Sequence, residues 1–376
     1  MTTGPADTPE PSLLAALFAF AFLGFLFASL YAWSWAIRNR QALWLWSGWQ
    51  RDCPTARIGL VDLIGCAACM IVAQVLTLGF VQSVSGVPKQ KPATASLLIE
   101  QDSVSQPVAK PDKTPTWLTP VLTLSLLFGG ILAVLLVLAR TGAPPVLIGL
   151  PGSGWRIDLR VGLIAFLLAT PVILILSQVA VRFTKVEYEH PVIDSMRDHP
   201  WAFPLLFIGA VIGAPLWEEF AFRALLIGWL DSVRSSRGDL RTIFFGRRNH
   251  ETQVVVDRDS DSSADPSENE VVRTRENPYA PPIAFPLSAG VTSESIQNDA
   301  ATKPFPPWWP AIVSGIIFGL AHFGYGVSWL PLIVFGIVLG RLFQLRKSIL
   351  PCIVVHACFN GLSMLGLAVQ VLSGKG

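Results

Sequence analysis

Charge is what this chain has least of. Only 14% of its 376 residues are Asp, Glu, Lys or Arg, against about 25% in an ordinary soluble domain. With 52% hydrophobic residues and a mean hydropathy of +0.51, that deficit excludes a conventional soluble globule and indicates an integral membrane protein. The net charge of +2 is too small for the electrostatic footprint of a nucleic-acid partner, so none is expected. Cysteine is scarce as well. Cys53, Cys66, Cys69, Cys352 and Cys358 form an odd, sparse set with four members in apolar runs, so no disulfide framework is implied. The "CAAC" at 66–69 reads as small residues within a hydrophobic helix rather than as a redox pair. "HExxH" is also absent, so any metal site must be assembled from separate segments.

What the chain has in quantity is apolar length. Eight runs reach the roughly 20 residues needed to cross a bilayer: about 12–37, 58–83, 117–139, 158–182, 201–230, 308–325, 327–345 and 349–372. The first follows "MTTGPADTPEP" without a basic leader or a nearby small-residue cleavage site, and so reads as a retained helix rather than a signal peptide. The fold predicted is all-α, a polytopic membrane helix bundle of about eight transmembrane helices. Loop charges orient it, because Lys and Arg favour the cytoplasmic side. Arg38, Arg40, Arg51 and Arg57 lie in one loop, Arg140 and Arg156 in another, Arg234 to Arg248 in a third and Arg341, Arg346 and Lys347 in a fourth. These are alternate loops, which places both termini outside the cytoplasm, in a membrane read as a bacterial plasma membrane.

Organisation follows from the breaks. Residues 1–200 hold about four membrane helices and a polar external loop at 84–115. Residues 201–372 form a second membrane core, interrupted at 231–307 by a polar, Pro/Ser-rich and acidic insertion. Its composition predicts a disordered cytoplasmic segment.

A few polar residues break the apolar runs. "EEFAFR" (218–223) brings Glu218, Glu219 and Arg223 into the fifth run, "FGLAH" (318–322) ends the sixth with His322, and "HACFN" (356–360) puts His356 and Asn360 in the eighth. Each ionised group in hydrocarbon costs at least about 2.5–3.5 kcal/mol on insertion scales, so partners are required. Residues four apart share a helix face, which pairs Glu219 with Arg223 and sets His356 beside Asn360. Glu218 lies about 100° round the helix and points elsewhere. Small residues (Gly315, Gly319, Ala321, Ala357, Gly361) permit close helix approach. A carboxylate and an imidazole can make water a nucleophile, while a second imidazole and an amide can stabilise an oxyanion. The same Glu/His/His set also has the donor types of a catalytic zinc site.

These three motifs resemble those of the CAAX-protease and bacteriocin-processing family of intramembrane proteases. The family's pattern is a Glu-Glu pair with Arg four residues after the second Glu, then Phe with His four later, then His with Asn four later. All three occur here in that order, and the resemblance covers about residues 200–372. It implies a peptide hydrolase in which Glu218 activates water with help from His322. His356 and Asn360 would stabilise the oxyanion, and Glu219 and Arg223 would orient the site. Substrates implied are peptides or proteins, lipid-modified tails among them. Both a zinc-dependent and a metal-free, glutamate-activated mechanism are described for the family; His356 with Asn360 reads more naturally as an oxyanion pair, which favours the metal-free form. Two other readings of the residues remain: an ion- or proton-coupled transporter, since carboxylates and histidines also build proton relays, and a non-catalytic membrane scaffold or immunity protein. The lack of a visible internal repeat argues against the transporter.

Overall fold

The computed structural model describes residues 13–39, 58–85, 118–184, 191–236, 238–246, 305–324 and 326–372. The described residues contain helices and turns and no strand. Helices α1 (Leu13–Arg38), α2 (Leu60–Ser85), α3 (Leu118–Thr141) and α4 (Trp155–Thr184) run 26, 26, 24 and 30 residues. After the short α5 (Pro191–Asp198) comes α6 (Pro200–Ser235), a composite helix of 36 residues. The six-residue α7 (Leu240–Phe245) precedes α8 (Trp309–Leu320), α9 (Trp329–Arg346) and α10 (Leu350–Leu372). Seven of these are long and apolar enough to cross a membrane, and the chain is a polytopic helical bundle.

The run at 308–325, predicted as the sixth of eight spans, departs from that expectation. Only 12 of its residues form helix α8, about 18 Å at 1.5 Å per residue against a hydrocarbon core of about 30 Å. The backbone N–H groups of His322 and Phe323 reach back three residues, to Gly319 and Leu320. The tightened turn ends the helix, and the chain then reverses through Gly326 at φ +65. Hydropathy continues through the turn because its residues are apolar, while the winding does not.

α8 and α9 form a hairpin whose backbones nearly touch. A Cβ on Gly315 would sit 2.5 Å from Ile337 N, one on Gly319 2.7 Å from Trp329 O, and one on Gly336 2.8 Å from Gly315 Cα. Such close approach of small residues replaces the hydrophobic drive that lipid cannot supply. Around this hairpin stand α4, α6 and α10, closing a core that includes Phe220, Leu225, Ile227, Phe318, Phe335 and Leu339. The outer helices instead turn large apolar side chains outward, such as Phe20, Phe27, Ile71 and Phe128. In water a patch of that size would be an association site; against lipid it is the expected surface.

Ion pairs tie several helix ends together. Arg140 at the end of α3 forks onto buried Asp62 at the start of α2 and donates to Phe245 O of α7 at 2.6 Å. Arg346 at the end of α9 meets buried Asp158 at the start of α4 at 2.6 Å, and Lys347 approaches Asp231 of α6 at 3.5 Å. Basic residues read from the sequence as orientation signals are therefore also structural partners.

The described part of residues 231–246 corrects the expectation of a disordered insertion beginning at 231. α6 continues to Ser235 and α7 follows. Asp239 caps α7, accepting from Arg241 N–H at 3.1 Å and Thr242 N–H at 3.3 Å. The Thr242 hydroxyl bond, with these backbone bonds, holds the Asp239 carboxyl below the usual carboxylate range. Residues 86–117 and 247–304, and with them most of the expectation for both polar segments, lie outside the described residues. The described helices before and after residue 200 lie in one compact unit.

Candidate active site

α6 winds as a π-helix over two stretches, Gly209–Gly213 and Phe220–Ile227. The α-helical turn between them, Ala214–Glu219, carries both glutamates. A π winding breaks the regular i→i+4 ladder, and such segments recur at functional sites. In each stretch one carbonyl receives a side chain from a neighbouring helix. Asn360 of α10 donates its amide N–H to Ala210 O at 2.8 Å, and the Ser314 hydroxyl of α8 donates to Phe222 O at 2.9 Å.

The buried charges form one connected series. Arg223 pairs with Glu219 one turn earlier, Nε to Oε2 at 2.9 Å, both side chains fully enclosed. Glu219 Oε1 lies 2.8 Å from Nδ1 of His356. Nε2 of His356 faces Oε2 of Glu218 at 3.8 Å. Because a carboxylate at neutral pH only accepts, His356 donates from Nδ1, which fixes its tautomer and ring plane. The Glu218 side chain is 11% exposed and that of Glu219 0%. Adjacent in sequence, the two carboxylates thus differ: one is locked between Arg223 and His356, and the other borders accessible space.

Aromatic rings wall this series. Phe318 packs against His322 at 5.0 Å and edge-on to His356 at 5.7 Å, and Phe335 meets His356 edge-on at 5.5 Å. The Arg223 guanidinium lies 4.8 Å from the Phe318 ring centroid, a contact strengthened by the lack of water. His322 donates Nδ1–H to Phe318 O at 2.8 Å, since a carbonyl can only accept. It joins the group through the Phe318 ring.

Every sequence-predicted site residue therefore falls in one region. Glu218, Glu219, Arg223 and His356 are in sequential contact, His322 lies across Phe318, and Asn360 sits one turn beyond His356. Ser314, fully buried and also within 3.1 Å of Arg223 Nη1, escapes a search for ionisable residues. Its signal is position: it precedes Phe318 by four residues, on one face of α8, and His322, past the end of that helix, by eight. A separate cavity of about 190 Å³, lined by residues including Leu127, Ile131, Trp217 and Phe220, is apolar and does not include the polar series.

A polytopic helix bundle with a buried carboxylate–imidazole–carboxylate–guanidinium series defines the class: an integral membrane protein with an ionisable cluster in its core. Residues 289–362 match the family described as type II CAAX prenyl endopeptidase Rce1-like. This bears out the resemblance to the CAAX-protease and bacteriocin-processing family, a family of intramembrane proteases. The matched stretch contains Ser314, Phe318, His322, His356 and Asn360; the Glu218–Arg223 motif precedes it. No curated protein and no solved structure matches the chain.

Proposed function

We propose that this protein is an intramembrane endopeptidase that hydrolyses a peptide bond with water activated by Glu218 and assisted by His322. The observation that carries the reading is the position of His356 between two unlike carboxylates, Glu219 at 2.8 Å and Glu218 at 3.8 Å. Glu218 takes a proton from water as it attacks the scissile carbonyl. With Nδ1–H committed to Glu219, His356 donates to an oxyanion through Nε2 only as imidazolium. The proton on Glu218 reaches that nitrogen, and the imidazolium later returns it to the leaving amine. Asn360, its plane fixed by the bond to Ala210 O, supplies the second donor. Glu219 and Arg223 hold His356 in place rather than touch the substrate.

A zinc shell requires three protein ligands and an open position. Among the described residues, no three His, Cys, Asp or Glu side chains are grouped to hold a metal. As placed, the donors do not fit such a shell, and the chemistry above rests on the carboxylate and imidazoles. The substrate is a peptide or protein segment reached from the bilayer, with a lipid-modified tail as the narrower form. The alternation of basic loops, with the α8–α9 hairpin entering and leaving on the side where Lys347 approaches Asp231, supports both termini lying outside the cytoplasm; a bacterial plasma membrane is the setting proposed.

The test is trapping. In proteoliposomes, Glu218→Gln should retain bound peptide that the wild type cleaves, identified by mass spectrometry. A peptide cleaved equally by both proteins would contradict the reading.

A further inference from the structure

The guanidinium of Arg223 is enclosed on all sides, and five N–H donors in a dry interior need more than one carboxylate. Glu219 takes the Nε side and the Phe318 face covers the Cζ. Nη1 points to the Ser314 hydroxyl oxygen at 3.1 Å. The same hydroxyl gives its one proton to Phe222 O at 2.9 Å, a carbonyl in the π-wound stretch Phe220–Ile227. Its direction is therefore set: the oxygen lone pairs face Arg223. Ser314 itself is 0% exposed, and its neighbour Gly315 is pinned against the backbone of α9, so the hydroxyl has little room to move.

We infer that Ser314 is a positioning residue for the site: from α8 it fixes Arg223, and through Arg223 and Glu219 it fixes the imidazole of His356 opposite Glu218. This rests on the proposed reading of the site. Removing the hydroxyl leaves one edge of the buried guanidinium without its acceptor and takes from Phe222 O its side-chain donor. The least costly relief is for Arg223 to swing toward Phe222 O. That draws on Glu219, whose other oxygen holds His356 Nδ1. Ser314 touches no part of the water-activating pair, so its loss acts on the geometry of the imidazole and not on substrate contacts.

The test uses full-length Ser314→Ala and Ser314→Thr in detergent, with histidine ring nitrogens labelled. The readout is the low-field Nδ1–H signal of His356, assigned by its absence in His356→Asn. Ser314→Ala should move or broaden this signal, and Ser314→Thr, which keeps a hydroxyl, should restore it. With a cleaved peptide, Ser314→Ala should lower kcat per folded protein by about 10–100-fold, the size of loss seen when a partner orienting a metal ligand is removed. KM should change less than kcat, and Ser314→Thr should recover most of the loss. A purely structural role predicts a lower melting temperature with the signal and the kcat of folded protein unchanged, and that result overturns the inference. So does a moved signal in an enzyme whose kcat is untouched. If the wild type cleaves no peptide, or Glu218→Gln cleaves as well as the wild type, the endopeptidase reading fails, and the histidine signal alone then decides whether Ser314 orders the series.

Discussion

The outermost helix α1 and the inner helix α9 are both apolar and long enough to span a membrane, yet they are built to opposite ends. In the most apolar window of α1, 6% of residues are buried inside the protein; in α9 the figure is 61%. α1 has no charged residue before Arg38, and a Cβ added at its Gly24 would meet nothing within 4 Å. The α8–α9 hairpin holds glycines against backbone, and in the facing parts of α6 and α10 Arg223, Glu219 and His356 are joined in series. The lesson is that hydropathy reports membrane residence equally for both regions and says nothing about which one is specified atom by atom. Specification comes from polar groups that cannot be left alone in hydrocarbon.

That contrast can be broken by substitution, and the largest effect belongs to the inner charges. Glu219→Gln leaves Arg223 enclosed without its counter-ion and should cost about 3–5 kcal/mol of stability, the usual result of breaking a buried pair. Thermal melting in detergent checks this. The bond from Glu219 to His356 adds a loss of turnover beyond the loss of folded protein.

His356→Ala should lower kcat by about 10²–10³, as for removal of an oxyanion donor. Single-turnover cleavage at saturating peptide measures it. A KM effect alone would move His356 from the chemistry to substrate binding.

Gly315→Leu and Gly24→Leu sharpen the comparison through packing. The first forces a side chain into α9 backbone and should destabilise by about 1–3 kcal/mol or more; the second should leave the melting curve in place. Smallest of all, Phe20→Ala on the lipid-facing side of α1, 79% exposed, should stay within about 0.5 kcal/mol of wild type. A large loss at either outer position would mean that α1 is covered by something other than lipid.

The site was legible in the sequence where helical spacing carried the information. Glu219 with Arg223, and His356 with Asn360, are four apart, and in each case the structure keeps both members in the same region. Glu218 separated from Glu219 because neighbours on a helix diverge by about 100°. Four things were not legible. The π windings of α6 have no side-chain signature, since Gly, Phe and Leu serve α and π turns alike. The early end of α8 was hidden because "FGLAHFGYG" stays apolar while its hydrogen bonding tightens. The Asp158–Arg346 pair spans 188 residues, and no local spacing links its two members. Ser314 was not legible because a hydroxyl in an apolar run carries no signal until the guanidinium it meets is placed.

The claim at the centre is that two adjacent glutamates have divided the work, Glu219 for structure and Glu218 for chemistry. Glu218→Gln is nearly isosteric and removes no ion pair with Arg223. Measured side by side for melting temperature and for turnover of one cleavable peptide, Glu218→Gln should melt with the wild type and show no cleavage, while Glu219→Gln melts earlier. Near-normal turnover by Glu218→Gln, or a fully folded but inactive Glu219→Gln, would contradict the account.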